Sequence, residues 1–307
     1  MDQGASVLAK LKNKSKQTGK PMQLHLQLFC QEEFLRRLSL SKYANHLILK
    51  GGLFIYTLTN FESRATIDVD FLLQDLSNNI DKIKEIINEI LAVDTGNDFV
   101  EFTADFFKVI TPERKYTGIS CQVIGKIKNT KTPFNIDIGV GDVIVPSVEK
   151  RKIPVQIEGF DYPIINTYSL ESTIAEKLDA ILQRLEMTSR MKDYYDIYYL
   201  SQMFDFDGEK LKLAIKTTLD NRKTKYTNEG LVRVMGFKHN DEMIEKWKQY
   251  IKLLKLDYPI FTDVIVQLEV FLLPIWESMV IGDSFNSKWD KSLNKWVKQE
   301  NNKLLKK

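Results

Sequence analysis

Cysteine and histidine are scarce in this 307-residue chain, which contains two of the first and three of the second. Cys30 and Cys121 lie far apart, and neither has another Cys or a His at the spacing of zinc ligands. A disulfide framework and a structural zinc site are therefore excluded, and a reducing compartment is favoured. His25, His46 and His239 are dispersed without a carboxylate framework, so we assign them no catalytic role.

Proline, glycine and long apolar runs are also limited. The chain has 8 Pro and 14 Gly against 43% hydrophobic residues, a composition typical of a globular protein rather than a disordered or fibrous one. The most apolar late stretch, 264–276, is short and interrupted by Gln267 and Glu269, and the N-terminus is polar. A Gly-x-x-x-x-Gly-Lys motif is missing, which excludes a P-loop NTPase. We expect a cytoplasmic protein that does not enter a membrane.

Charge is distributed unevenly, although the formal net charge is only +3. Residues 1–20 contain five Lys and one Asp, and residues 285–307 contain seven Lys, one Asp and one Glu. The long middle segment is therefore acidic. The basic ends are candidate arms for an RNA, and Trp289 and Trp296 then offer a stacking surface. The alternative is an amphipathic last helix with buried Trp and solvated Lys.

Hydrophobic periodicity predicts an α+β domain followed by a helical domain. The boundary falls near residue 166, which gives domains of residues 1–165 and 166–307. Three-to-four spacing of apolar residues predicts helices and strict alternation predicts strands. The predicted elements of the first domain are two helices within 5–48, a helix over 79–93, and strands over 66–71, 99–109, 118–126 and 133–138. We expect a mixed sheet with helices, then an all-helical domain that ends in the basic segment.

Three aspartates fall on the polar side of the predicted strands. Asp68 and Asp70 are two residues apart and so share a strand face, roughly 6 to 7 Å apart along it. Asp137 has the same phase on another alternating strand, so it can converge on the same point. Packed in a core without a partner, these charges would each cost several kcal/mol, so they face solvent or share a cation. A solvated strand face is one interpretation; a site for Mg²⁺ or Mn²⁺, with one carboxylate as general base, is the other.

A second group of residues is suited to phosphate. The segment Lys50-Gly51-Gly52 precedes the aspartates, and paired glycines let backbone N–H groups approach a phosphate closely. Arg64 and Thr66 stand just before Asp68 and can reach the same anion. A Gly-Gly pair that only forms a turn is the alternative.

In this order, the residues from Lys50 to Gly52 and from Arg64 to Asp70 resemble the first motif of the AbiEii family of nucleotidyltransferase toxins. That family belongs to the DNA polymerase β-like superfamily. Segment 176–179 resembles its second motif, Lys-x-Asp on a helix, and segment 190–196 resembles its third, Arg/Lys-Asp-x-x-Asp. The resemblance covers about residues 45–205. One departure is Leu53, since related toxins often have Thr or Ser after the glycines.

The resemblance implies roles for individual residues. Asp68, Asp70 and Asp137 would bind the metal, and Asp137 would also serve as base. Lys177 would meet the triphosphate, with small neighbours leaving its ammonium accessible. The residues implied to hold the nucleotide are Lys50, Gly51, Gly52, Arg64, Thr66, Lys177, Lys192 and Asp193. Asp196 would be structural. The alternative is a surface ion-pair cluster, in which Lys192 pairs with Asp196 four residues later.

The implied function is a Mg²⁺-dependent toxin of a phage-defence toxin–antitoxin pair. It would transfer NMP from an NTP to the 3′ end of tRNA, release pyrophosphate and so arrest growth. The implied partner is a separate antitoxin that acts as a transcriptional repressor. Two alternatives stay open. One keeps the chemistry but uses a protein or small-molecule hydroxyl, and the other is a non-catalytic nucleotide-binding module, which the three carboxylates disfavour.

Overall fold

The computed structural model describes residues 2–110, 117–188, 190–254 and 259–299. Within them the chain forms two compact units. Unit 1 contains residues 1–142 and 148–168, and unit 2 contains residues 143–147 and 169–307. Residues 300–307, the end of the basic C-terminal segment, lie outside the described part of the chain.

Unit 1 is built on a mixed sheet. Its elements are α1 (Gln3–Thr18), α2 (Met22–Leu40), β1 (Leu47–Lys50), α3 (Gly51–Leu58), β2 (Val69–Leu73), α4 (Ile80–Leu91), β3 (Val100–Ile110), β4 (Gly118–Ile127), β5 (Thr130–Gly139), β6 (Glu149–Lys152) and β7 (Ile164–Thr167). The described strands form one seven-stranded sheet in the order β3-β4-β5-β2-β1-β7-β6. The β2/β5 and β1/β7 pairs are parallel, and the other neighbours are antiparallel.

The alternation in the central strands separates a core face from a polar face. Val69 and Phe71 of β2 and Ile136 and Ile138 of β5 are at most 1% exposed. The ring of Phe34 on α2 lies 6.0 Å from that of Phe71, so α2 packs on this face. Burying each such side chain stabilises the fold by about 1.5–3 kcal/mol. The residues between them point to the opposite face, where the aspartates lie.

Helix α2 runs through the interior, since every residue from His25 to Leu38 is buried. Its charged residues are therefore paired. Glu33 accepts hydrogen bonds from Arg36 at 2.7 Å and from Arg37 at 3.3 Å. Arg36 also donates to the carbonyl of Asp161 at 2.6 Å. The paired charges allow a helix with polar residues on several sides to be buried.

Unit 2 is mainly helical. Its helices are α5 (Leu170–Arg184), α6 (Met191–Met203), α7 (Gly208–Arg222), α8 (Asn228–Gly236), α9 (Asp241–Leu254) and α10 (Phe261–Ile281), and its strands are β8 (Phe206–Asp207), β9 (Ser287–Asp290) and β10 (Lys295–Lys298). The strands form a small sheet in the order β10-β9-β8. The prediction of an all-helical second domain is thus corrected by one sheet.

Residues 287–298, at the end of the described part of unit 2, form a β-hairpin and not an amphipathic helix. Trp289 is fully buried, and its ring lies 4.9 Å from that of Phe271. Trp296 stacks on the same Phe271 at 5.8 Å. Both tryptophans are therefore packing residues, and the prediction that they form an RNA-stacking surface is not supported by their positions.

Helix α10 contains the apolar stretch that the sequence singles out. Within the described residues it alone is long and apolar enough to cross a membrane by length and composition. However, 56% of its most apolar stretch is buried inside the fold, as is typical of a core helix of a soluble protein. Phe271 and Trp276 are part of that buried surface.

Candidate active site

The first motif forms a tight junction between β1 and α3. Strand β1 ends at Lys50, the chain turns at Gly51 with a φ of +68°, and α3 begins at once. This left-handed conformation favours glycine. Lys50 pairs across β1 and β2 with Asp70, so the start of the helix is placed beside the aspartates.

Both glycines are required by the close approach of other side chains. A Cβ on Gly51 would lie only 2.0 Å from Oδ2 of Asp70. A Cβ on Gly52 would lie 2.8 Å from Oγ1 of Thr66. The structure therefore brings the glycine turn, Thr66 and Asp70 together. A larger residue at position 51 or 52 would displace them.

Asp70 and Asp137 are direct neighbours on the parallel strands β2 and β5. Paired residues project from the same face, so the two carboxylates share one side of the sheet. Asp68 lies one residue before β2, and its Oδ1 accepts a hydrogen bond from Asn135 at 3.3 Å. Because Asn135 is two residues before Asp137 on β5, this contact keeps Asp68 in the same phase as Asp70.

The environment of Asp137 disfavours its ionised form. Burial raises the pKa of this carboxyl above its ordinary value, and the negative charges of Asp70 and Asp68 raise it further. A hydrogen bond from Ser120, which lies directly across from Asp137 on β4, acts in the opposite direction. Oδ1 of Asp137 is buried and has no hydrogen-bond partner among the described residues. Such an atom is available to a cation or to a proton.

The carboxylates do not form a closed cage. In the part of the chain that the structure describes, no three His, Cys, Asp or Glu side chains are grouped closely enough to hold a metal ion by themselves. Any cation at Asp68, Asp70 and Asp137 would therefore need further oxygen ligands.

Lys50 is already engaged in an ion pair. Its Nζ lies 2.7 Å from Oδ2 of Asp142 and 3.4 Å from the hydroxyl of Tyr168. Arg64 is buried in the segment that leads to Thr66. Both cations lie in the same unit as the aspartates, as the sequence predicts, but Lys50 has a counter-ion that the sequence does not suggest.

Several supporting residues were missed by sequence reasoning. Asn135 could have been found from the sequence, because it lies two residues before Asp137 and therefore on the same strand face. Ser120 and Asp142 could not have been found in this way, since their contacts depend on the register of β4 and on the turn after β5.

The second and third motifs meet inside unit 2. Nζ of Lys177 on α5 lies 3.0 Å from Asp193 and 2.6 Å from Asp196, both on α6. Arg190 also pairs with Asp193 at 2.7 Å. Burial raises the pKa of Asp193, but the attraction of Lys177 and Arg190 outweighs it and lowers the pKa to about 2.

This pairing differs from the contacts expected from the sequence. Lys177 is 8% exposed and holds the two aspartates, so its ammonium is not left accessible by small neighbours. Asp196 is fully buried against Lys177, in line with a structural role. Lys192 is exposed on α6. The roles of Lys177, Lys192 and Asp193 in nucleotide binding stay predictions.

Comparison with known families identifies the family of this chain. Residues 33–267, about three quarters of the chain, match the family described as "Nucleotidyl transferase AbiEii toxin, Type IV TA system". The chain belongs to the AbiEii family. It is therefore a nucleotidyltransferase toxin of a type IV toxin–antitoxin system, with an NTP as substrate and an antitoxin as partner. No curated protein sequence matches it significantly.

Two solved structures are similar to this chain. MenT4, a nucleotidyltransferase toxin from Mycobacterium tuberculosis H37Rv, is 16% identical, with a TM-score of 0.52 over 90% of this chain and 99% of its own. JHP933 from Helicobacter pylori is 14% identical, with a TM-score of 0.49 over 85% of this chain and 94% of its own. The likeness to MenT4 confirms the predicted α+β class for this AbiEii protein.

Proposed function

We propose that this toxin transfers NMP from an NTP to the 3′ end of tRNA, with Mg²⁺ or Mn²⁺ held by Asp68, Asp70 and Asp137. The reaction would take place in the cytoplasm, release pyrophosphate and arrest growth as a defence against phage. The observation that supports this most is the placement of the three carboxylates beside the glycine turn on one sheet face.

The donor set fits a hard cation. Oδ1 of Asp137 is buried without a partner in the described chain, and Asp70 is its direct neighbour in register. Mg²⁺ usually takes one or two protein carboxylates and completes its shell with water and substrate phosphates. This explains why the described side chains need not form a cage by themselves. When bound, the cation would neutralise phosphate charge and polarise the reacting phosphoryl group.

The protein side chains have distinct tasks in the transfer. Asp137 is suited to accept the proton of the acceptor hydroxyl, because burial and neighbouring charge raise its pKa and make it a better base than an exposed carboxylate. The acceptor oxygen forms a bond to the α-phosphorus, and the bond from that phosphorus to the bridging oxygen of pyrophosphate breaks.

The triphosphate is assigned to the start of α3. Gly51 and Gly52 are the first residues of the helix, so their N–H groups lack intrahelical partners and carry the positive end of its dipole. No hydroxyl follows them, since the next residue is Leu53. Backbone groups, with Lys50, Arg64 and Thr66 nearby, therefore supply the contacts. We also propose that Lys177, Lys192 and Asp193 contribute to nucleotide binding, as the family resemblance implies.

The tRNA acceptor is supported by the family resemblance and by the basic N-terminal helix. Lys10, Lys12 and Lys16 of α1 are exposed and make no ion pair or side-chain hydrogen bond among the described residues. Such lysines can meet phosphates of an RNA. The antitoxin, proposed to be a transcriptional repressor, would control the amount of toxin.

The acceptor can be identified by label transfer. The purified protein is incubated with each α-labelled NTP, Mg²⁺ and total tRNA, with bacterial protein and small-molecule fractions in parallel reactions. We expect label at the 3′ end of tRNA and none when EDTA is added. Label only in protein or in a small molecule would overturn the tRNA proposal. Nucleotide binding with no transfer to any fraction would support a non-catalytic module instead.

A further inference from the structure

Two buried glutamines of α2 converge on one backbone oxygen next to the aspartates. Nε2 of Gln27 donates to the carbonyl of Ile67 at 2.9 Å, and Nε2 of Gln31 donates to the same carbonyl at 2.7 Å. This carbonyl belongs to the peptide group that joins Ile67 to Asp68. The side chain of Ile67 itself is 60% exposed, so its own packing contributes little to holding this peptide group in place.

The spacing on α2 explains the convergence. Residues four apart lie on the same helix face, one turn above the other, so both amides reach one point. A carbonyl oxygen has two lone pairs and accepts both bonds. The helix is buried throughout this region, which makes it a fixed support for the chain that leads into β2.

The arrangement is costly for folding. Gln31 is 1% exposed, and its Oε1 is buried without a hydrogen-bond partner in the described residues. A buried acceptor without a partner destabilises a fold, whereas an apolar side chain of the same size would fill the place without this penalty. Stability therefore does not explain a glutamine at position 31, whereas the hydrogen bond that its Nε2 donates to the carbonyl of Ile67 does.

We infer that Gln27 and Gln31 are positioning residues for nucleotidyl transfer. They clamp the peptide group before Asp68 so that Asp68 and Asp70 are presented together toward Asp137. The inference rests on the proposed role of these aspartates. It also assigns a task to the first half of α2, because both glutamines precede residues 33–267, the part that matches the family.

The test variants replace the glutamine amide donors with apolar side chains of similar volume. The variants are Gln27→Met, Gln31→Met and the double variant, and the control is Gln23→Met, an exposed glutamine one turn earlier on the same helix. Three quantities are measured on the full chain: amide hydrogen exchange of segment 64–71, Tm, and kcat with KM for label transfer. Each single variant keeps one bond to the carbonyl, so the double variant should show more than the sum of the single effects.

In the double variant we expect faster exchange of segment 64–71 and a kcat that falls about 10- to 100-fold, with a smaller change in KM. Tm should change little, because the loss of the two hydrogen bonds to the carbonyl of Ile67 is offset by the removal of the buried, unpaired Oε1 of Gln31. The Gln23→Met control should match wild type in all three measurements.

Unchanged exchange in the double variant would overturn the clamp, and faster exchange with unchanged kcat would overturn its role in transfer. A kcat that falls only in proportion to a loss of Tm would also overturn it, since that indicates general destabilisation. If the wild type transfers no label, the proposed function fails, and hydrogen exchange alone still decides whether the glutamines clamp the segment.

Discussion

The absence of a side chain at Gly51 directly controls the position of Asp70. Two effects operate there: the positive φ of +68°, and the 2.0 Å that would separate an added Cβ from Oδ2 of Asp70. Gly96 also has a positive φ, of +73°, but nothing lies within 4 Å of its ideal Cβ. The two positions therefore separate backbone strain from displacement of the carboxylate.

We predict that Gly51→Ala loses transfer activity while Gly96→Ala keeps it. Each substitution should cost about 1–2 kcal/mol of stability, because alanine is disfavoured in the left-handed region. Only Gly51→Ala should also lower kcat, by about 10-fold or more, since the new methyl group pushes Asp70 away. Chemical denaturation and label transfer check this. Equal activity of the two variants would show that the contact with Asp70 is unimportant.

At the same scale, local patterns predict the aspartates and not their partners. Asp70 and Asp137 follow from alternation along single strands, which the sequence shows directly. Ser120 and Asp142 contact Asp137 and Lys50 through strand pairing and a turn distant in sequence. Such contacts depend on the register of the assembled sheet, and register is set by tertiary packing that no local window contains.

Among the elements, α2 is the most unusual, because it buries ionisable residues. Burial raises the pKa of Glu32 to about 8, and the positive charges of Arg36 and Lys14 only partly oppose this. Arg36 is closer to Glu33, at 2.7 Å, than to Glu32, at 3.4 Å. We therefore expect Glu32 to keep its proton in the folded state at pH values where the unfolded chain, with a pKa near 4.5, has lost it.

The sign of the pH effect follows from this difference. Below about pH 4.5 Glu32 is protonated in both states, and between about 4.5 and 8 only the folded state keeps the proton. The contribution of Glu32 to stability therefore falls as pH rises through this range, by about 1 kcal/mol for each pH unit.

We predict that Glu32→Gln becomes increasingly stable relative to wild type from pH 5 to pH 8. Urea denaturation at several pH values measures the difference in the free energy of unfolding. The exposed Glu85 on α4 provides the control, and its Gln variant should follow wild type across the range. A constant difference for Glu32→Gln would show that Glu32 is ionised in the fold.

The C-terminal hairpin is another element with a testable role. Trp289 is buried against Phe271, and its Nε1 donates to the carbonyl of Ser201 at 2.7 Å. We predict that Trp289→Ala destabilises unit 2 by about 3–5 kcal/mol. Lys298→Ala, at an exposed position of β10, should change stability by less than about 0.5 kcal/mol. Thermal denaturation measures the stability of both variants. Unchanged stability of Trp289→Ala would show that Trp289 is not needed for packing and would leave it available to stack on RNA.

Long elements were predictable and short ones were not. The two N-terminal helices, α4 and the strands β2 to β5 agree with the periodicity of the sequence. Strands β1, β6 and β7 have four residues each, too few to show an alternation. The sequence predicts helix for β9 and β10 because their Trp and Lys residues have no clear strand period. Packing on Phe271 decides the structure of this hairpin.

For the whole molecule, the uneven charge distribution bears on the choice of acceptor. The acidic middle segment includes the three site aspartates, and bound metal would reverse their local charge. Lysines of α1 supply an exposed basic surface within unit 1. Because both tryptophans of the hairpin pack on Phe271, the described basic ends can contribute to RNA binding through electrostatic contact with phosphates.

We predict that replacing Lys10, Lys12 and Lys16 by Gln weakens tRNA binding and lowers its salt dependence. The slope of log K against log salt should fall by up to about 3, while NTP binding is unchanged. Filter binding at several salt concentrations measures this. The control replaces three exposed lysines of unit 2: Lys210, Lys216 and Lys225. An equal loss in both triple variants would assign the effect to net charge and not to α1.

If the carboxylates beside the glycine turn carry out nucleotidyl transfer, pyrophosphate release must depend on Asp70, and the rate of release by Asp70→Asn measures this dependence. The control is Asp75→Asn, an exposed aspartate of the same segment at φ +59°, where Asn is tolerated. With equal Tm for all proteins, we predict a loss of at least about 100-fold for Asp70→Asn and no loss for Asp75→Asn. A folded Asp70→Asn variant that releases pyrophosphate at the wild-type rate would show that Asp70 takes no part in the transfer.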